Sequence, residues 1–491
     1  MNSSFTLLDG VVLLAYLVGT TLLGVWLGRS QRDARDYFVA GQAVPWWAVL
    51  FSVVATETSA LTFISVPATA YNSDLWMLQL AIGYMLGRLV VAAVLLPAYF
   101  RGDLTTAYAL LQRRFGLDTR RFASVIFMVT RALADGVRVF ATAIPIKLIT
   151  GLPYWQAIMI TGVFTLIYTY YGGLSAVVWV DVVQMFIYVF GGLASLYVLI
   201  QIVPMGWEGI VSAAADGDKF RIFHPEGGFA DGRWILTGLI GGAFLSMASH
   251  GVDHIIVQRL LASKSLKDAR KALITSGVIV ISQFALFLVV GVGLYAYFQG
   301  QTFKTPDEIF PSFIVTQLPD GVRGLVIAGI LAAAMSTVAS SLNSLASSTT
   351  HDLYAPLSKR GEDQTHLMKM GKRFTLMWGA ILIGGAMLFQ FAAQGTPVVV
   401  LALEIASFTY GGLLGGFALG VISKRAEQKD AIIGMGTAIL CMTILWAIQQ
   451  FGIVDRFVAG LWFALIGSVI TVSVGMLSAR IRGSNSLAER M

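Results

Sequence analysis

The stretch Ile327-Ala-Gly-Ile-Leu-Ala-Ala-Ala-Met-Ser-Thr-Val-Ala-Ser-Ser-Leu-Asn-Ser-Leu-Ala-Ser-Ser348 is apolar enough to cross a bilayer, yet it carries one polar seam. At helical spacing Ala333, Ser336, Thr337, Ser340, Asn343, Ser344 and Ser347 recur every three or four residues and so share a face. That face offers oxygens with little bulk. Neutral hydroxyls suit a hard monovalent cation, which needs several oxygen ligands in a place where many buried carboxylates would be costly. Two readings of the seam therefore stand side by side. It is one wall of a sodium site, or it is a row of small residues that lets a neighbouring helix approach closely.

The rest of the chain supplies the setting. Of its 491 residues, 56% are hydrophobic and 12% charged, against about 25% charged in ordinary soluble domains. The expected fold class is all-α, a polytopic membrane protein. Thirteen apolar runs are long enough to be membrane spans, at roughly 7–28, 46–70, 76–100, 122–149, 155–171, 177–203, 235–258, 272–298, 324–348, 374–392, 397–421, 430–450 and 457–479. Of the 34 lysines and arginines, 24 fall in alternate loops and the C-terminal tail, and six on the opposite side. The positive-inside rule then puts the N-terminus outside and the C-terminus in the cytoplasm of a cell membrane. The net charge of +7 is explained by this loop bias, so no nucleic-acid partner is indicated.

Cys441 is alone and cannot form an intrachain disulfide. Met1 to Phe5 lacks a basic residue, and Arg29, Arg32 and Arg35 follow the first run, so that run reads as a retained anchor. The longest outer loops, about 204–234 and 299–323, mix Gly, Pro and charge; most other connections are short, and no soluble catalytic domain is expected.

Two spans are poor helices. The run 46–70 begins after Pro45, holds Ala55-Thr-Glu-Thr-Ser-Ala60 at mid-depth and meets Pro67; five spans later, 235–258 holds Gly241-Gly242 and Ser249-His-Gly-Val-Asp-His254. Interrupted helices at matching places mark the first helix of each of two inverted repeats around a substrate, although helix-packing glycines are the other explanation. The resulting organisation is an extra helix and loop at 1–45, a first five-helix repeat at 46–203, an outer loop at 204–234, a second repeat at 235–421, and two further helices with a tail at 422–491.

Several motifs then combine. Asp36-Tyr-Phe-Val-Ala-Gly41, Gly172-Gly-Leu-Ser-Ala-Val-Val-Trp-Val-Asp-Val-Val-Gln184, Asp253-His-Ile-Ile-Val-Gln-Arg259, Ala332-Ala-Ala-Met-Ser-Thr-Val-Ala-Ser-Ser-Leu-Asn-Ser344 and Asp352-Leu-Tyr354 occur in an order that resembles the sodium/solute symporter family. The resemblance implies a leucine-transporter-type core with sodium between the first and eighth core helices. Its ligands would be backbone carbonyls near Ala55 and Thr58, the carbonyl of Ala333, and the hydroxyls of Ser336 and Thr337. A second ion, present in some members, would use Asp181 and Ser340. Here Ala339 and Glu57 stand where hydroxyl residues are usual, so one sodium per cycle is expected, with Asp181 as a gate or a structural partner near the cytoplasmic end of its span as the alternative; Val252-Asp-His254 replaces the usual Thr-Asp-Gln, so a different chemistry is expected at that corner.

Charges within the spans are sites or buried pairs by default. Arg131, Asp135 and Arg138 share a helix face, Glu57 sits at the proposed break, and Arg88 lies midway along its span. An arginine of this set either offers its planar fork to a substrate anion or is neutralised by Asp135 or Glu57 in a brace. His250 and His254 have helical metal spacing, but no further ligands converge in sequence. Thr56, Glu57, Ser59, Gln79, Arg131, Asp135, Arg138, Phe244 and His250 are the substrate-cavity candidates, with Trp76, Tyr84, Tyr154, Glu404 and Tyr410 as further lining; Lys147 is expected to snorkel.

The expected function is sodium-coupled import of a small polar or anionic solute by alternating access, by a protein acting as a monomer in the lipid bilayer. The alternatives are proton coupling through Glu57 or Asp181 in the same fold, or a membrane sensor, against which stands a tail of about a dozen residues after Leu477. An enzyme is disfavoured because Glu57, Asp181 and Asp253 are scattered over different helices.

Overall fold

The computed structural model describes residues 5–102, 104–392 and 398–488. Regular structure among them is helical, apart from a single isolated bridge between Val44 and Ser263. The principal helices are α1 (Leu7–Leu27), α2 (Trp46–Glu57), α3 (Ala60–Asn72), α4 (Met77–Val90), α5 (Leu117–Thr150), α6 (Tyr154–Ile202), α7 (Gly242–Gly251), α8 (His254–Leu261), α9 (Leu266–Phe298), α10 (Val322–Ser348), α11 (Gln364–Ala392), α12 (Val398–Ile422), α13 (Gln428–Gln450) and α14 (Phe463–Ala488).

Among the described residues, eight helices are long and apolar enough to cross a membrane, or nine if α2 and α3 form one bent span. This is fewer than the thirteen apolar runs, and the reasons are local. The runs 155–171 and 177–203 are the two helical segments of α6, which meet at a kink at Gly173 (φ 51°, ψ −154°). The kink takes no loop, because the glycine leaves helical geometry within one residue, at positive φ. It has to be glycine: a Cβ would stand 2.4 Å from the carbonyl oxygen of Tyr37.

The other interruptions fall close to the expected places. α2 ends at Glu57 and α3 starts after Ser59, the two bent by 62°. Pro67 does not end α3 but lies inside it. In the second weak span the helix passes through Gly241-Gly242 and breaks only at Val252-Asp253, where Asp253 caps α8 by accepting from the Ile255 N–H at 2.9 Å. The glycine pair serves packing instead, since a Cβ on Gly242 would lie 3.1 Å from the Leu80 carbonyl of α4.

α10 is the most enclosed of the candidate spans. Within its apolar window 94% of residues are buried, against 22% for α1. Its polar seam therefore faces protein rather than lipid, and α6, α5, α1, α11, α2, α8 and α3 supply the neighbours.

Candidate ion and solute site

The site starts from a local conflict in the backbone. Where α2 gives way to α3, Ser59 and Thr62 form a reciprocal capping box: the Ser59 N–H donates to Thr62 Oγ1 and the Thr62 N–H to Ser59 Oγ, each at 3.3 Å. In an unbroken helix those two N–H groups would have paired with the carbonyls of Ala55 and Thr58. The sequence Thr56-Glu-Thr-Ser59 thus withdraws the donors and leaves two carbonyl oxygens without helical partners.

Opposite them stands α10. Ala55, Thr58, Ala332, Ala333 and Ser336, with Gln184, Met185 and Tyr188 of α6, line a cavity of about 10 Å³, room for about one water-sized body. Thr56 Oγ1 lies 3.2 Å from Ser340 Oγ, so the break and the seam are in direct contact. Thr337 Oγ1 donates to the Ala333 carbonyl at 3.1 Å, and Thr337 is not among the residues that line the cavity. Thr58 Oγ1 accepts from Gln283 Nε2 at 2.7 Å, which leaves its carbonyl as the group on offer.

Asp181 and Ser340 also meet, but not around a vacancy. Asp181 Oδ1 accepts from Ser336 Oγ at 2.6 Å, and Oδ2 accepts from Ser52 Oγ at 2.6 Å and Arg259 Nη2 at 3.0 Å. Arg259 Nη2 also donates to Ser340 Oγ at 2.5 Å. The position foreseen for a second cation contains a guanidinium. Arg259 and Ser52 were missed in the sequence, although Ser52 sits one turn before Thr56 on the same face of α2.

The charged candidates divide into two groups. Glu57 accepts from Arg88 Nη2, and His250 Nε2 lies 3.4 Å from the same carboxylate oxygen; Arg88 Nε donates to Ser276 Oγ at 3.2 Å. These residues lie on or at the ends of α2, α4, α7 and α9. The second group runs from α5 to α10 and α12. Asp135 Oδ1 accepts from Arg131 Nη1 at 3.4 Å and Arg138 Nη1 at 3.3 Å, while Oδ2 accepts from Ser341 Oγ. Arg131 Nη2 donates to Asp253 and, at 2.7 Å, to Tyr410 Oη, whose hydroxyl donates to Asp253 Oδ2 at 2.7 Å. Arg131 is thus spent in a brace, whereas the Arg138 side chain is 20% exposed.

The remaining candidates scatter. Ser59 is taken by its capping role and Gln79 is buried, donating to the Arg233 carbonyl. Phe244 packs partly buried against the core, and Tyr154 lies under Lys147 Nζ at 4.1 Å. His250 and His254 do not converge: His254 Nδ1 accepts from the Ala107 N–H at 3.3 Å, and Nε2 faces Ser347 Oγ at 3.1 Å. Among the described residues no three His, Cys, Asp or Glu side chains gather to hold a metal. The Glu404 side chain lies outside the described residues.

A family model described as the sodium:solute symporter family matches residues 37–437. The sodium/sialic acid symporter NanT of Aliivibrio fischeri is 30% identical over 98% of this chain and 95% of its own. The human sodium-coupled monocarboxylate transporter 1 is 28% identical over 88% of this chain and 72% of its own. A substrate-bound, outward-open Na+-coupled sialic acid symporter superposes with a TM-score of 0.86 at 30% identity, covering 97% of this chain and 98% of the other.

Proposed function

We propose, from the premise that the chain belongs to the sodium:solute symporter family and is a sodium-coupled symporter of a small polar solute, that one Na+ binds in the cavity between the α2–α3 break and α10. Its ligands are the carbonyls of Ala55, Thr58 and Ala333 and the hydroxyls of Ser336 and Thr337. The observation that carries this reading is that Ala55, Thr58, Ala333 and Ser336 line one cavity of about 10 Å³. All five ligands are neutral oxygens, suited to a hard monovalent ion in a low-dielectric setting.

The chain makes thirteen crossings, with its N-terminus outside and its C-terminus in the cytoplasm, and works as a monomer. Helices α2 to the second half of α6 form one five-helix repeat, and the segment from α7 to α12 forms its inverted counterpart. Within that scheme α2, α3, α4, α7, α8 and α9 form the moving bundle, and α5, α6, α10 and α11 the scaffold. Sodium then bridges bundle to scaffold and favours the state in which the solute site is complete, by its differential affinity for the two states. The Glu57, Arg88 and His250 cluster lies wholly within the bundle and keeps the two helix breaks together as the bundle moves.

The solute is a carboxylate. The relatives named above carry sialic acid and monocarboxylates, and the Arg138 side chain is 20% exposed where those of Arg88 and Arg131 are enclosed. One sodium per cycle is the reading that Arg259 beside Asp181 supports, together with Ala339, which offers no hydroxyl. One Na+ with one monoanion moves no net charge, so a tenfold sodium gradient supports about tenfold accumulation.

Uptake into proteoliposomes at fixed pH is expected to follow an imposed sodium gradient and to be indifferent to a potassium-diffusion potential. Uptake driven by a pH gradient without sodium would remove the ion assignment. Arg138→Ala is expected to weaken carboxylate binding by about 10- to 100-fold, the loss of one charge-assisted bond, with little change in thermal stability. Equal loss of folding and binding would instead make Arg138 part of the brace.

A further inference from the structure

We infer that Asp181 and Arg259 form a cytoplasmic latch that reads the sodium site through Ser336, an inference that rests on the ion assignment above. Four helices meet at this one carboxylate. Ser52 on α2 and Arg259 on α8 belong to the bundle; Asp181 on α6 and Ser340 on α10 belong to the scaffold. Ser52, Asp181, Arg259, Ser336 and Ser340 are each fully buried, at 0% exposure.

The hydrogen bonds leave no slack. Arg259 Nε donates to Ser52 Oγ at 2.8 Å, Nη1 to the Ile255 carbonyl at 3.0 Å, and Nη2 to both Asp181 and Ser340. Ser340 Oγ in turn donates to the Ser336 carbonyl at 2.5 Å. The link to the ion is the other carboxylate oxygen. With its proton donated to Asp181 Oδ1 at 2.6 Å, Ser336 Oγ keeps its lone pairs for the cavity, and the adjoining negative charge makes them better donors to a cation.

One carboxylate therefore has two tasks, holding the sodium ligand in its binding rotamer and tying bundle to scaffold on the cytoplasmic side. Opening toward the cytoplasm must part Ser52 and Arg259 from Asp181. A carboxylate released in this way is free to pull the Ser336 hydroxyl out of line, so departure of the latch and departure of the ion assist each other. Asp181 is a positioning residue in this scheme, acting on sodium only through Ser336.

The test uses full-length protein in inside-out membrane vesicles, with Ser347→Cys in a Cys441→Ser background as the reporter. Ser347 is buried near the C-terminal end of α10, which the proposed orientation puts on the cytoplasmic side, and its labelling by a membrane-impermeant maleimide reads cytoplasmic opening. In the parent, sodium but not potassium should slow labelling. Arg259→Gln should label about fivefold or more faster without sodium, and Arg259→Lys, which keeps the charge, should restore most of the protection. Asp181→Asn should label faster and also need about tenfold more sodium for half-protection, the scale of loss typical when a group supporting a metal ligand is removed. Ser52→Ala keeps both charges paired and covers the case in which the charge variants fail to fold; it should label about two- to fivefold faster.

Parental labelling rates in Arg259→Gln, or in Ser52→Ala if the charge variants do not fold, overturn the latch. An unchanged sodium half-protection in Asp181→Asn overturns its link to the ion. A parent whose labelling ignores sodium overturns the ion assignment itself, and the latch with it.

Discussion

Ser336→Ala combined with Thr337→Ala is expected to abolish sodium-driven accumulation while leaving a folded protein. Each hydroxyl lost from a cation costs about 1.5–3 kcal/mol, so the pair should raise the sodium half-saturation by two orders of magnitude or more. Both side chains are small, and alanine is a better helix former than serine or threonine. α10 should therefore survive, although Asp181 loses one donor. Thermal unfolding of purified protein is the direct measurement. The wild type should be stabilised by sodium relative to potassium, and the double variant should not distinguish the two salts at the same concentrations. A double variant with a wild-type sodium titration would leave the seam as helix packing, the reading that stood beside the ion site in the sequence.

Asp253→Ala should have the largest effect on stability. Asp253 accepts from Arg131 and Tyr410 and caps α8 at the second helix break. Removing it takes the closer of two carboxylate partners from a guanidinium that is 7% exposed, leaving Asp135 at 3.4 Å, and breaking a buried pair from one side costs about 3–5 kcal/mol. The capping bond adds about 1 kcal/mol. Tyr410→Phe removes one neutral donor and should cost about 1 kcal/mol. The midpoint of thermal unfolding should thus fall far more for Asp253→Ala than for Tyr410→Phe, in sodium and potassium alike. Equal shifts for the two variants would mean that Arg131 finds compensation elsewhere. Because this network joins α5, α8 and α12, its loss is a defect in assembly rather than in ion binding, and the salt comparison separates it from the Ser336 and Thr337 result.

What could be read in the sequence was what depends on neighbours along the chain. Composition established a membrane protein; helical periodicity put Ser336, Thr337 and Ser340 on one face; and Thr56-Glu-Thr-Ser59 announced a break, because hydroxyls next to the backbone compete with helical hydrogen bonds. Asp135 four residues from Arg131 and three from Arg138 was legible for the same reason. The motif resemblance added the pairing of this break with α10.

Other features were settled only by the fold. Gly241-Gly242 looked like an interruption and proved to be a contact surface, since a glycine permits either and only the neighbouring helix decides. The two segments of α6 join at a kink without a loop because Gly173 adopts positive φ. The partners of the deepest charges, Arg131 with Asp253 and Asp181 with Arg259, lie 122 and 78 residues apart. Nothing in local spacing selects such pairs. A buried charge demands a counter-charge, but which one it meets depends on how the helices pack, and that packing turned the expected place for a second ion into one occupied by the protein's own arginine.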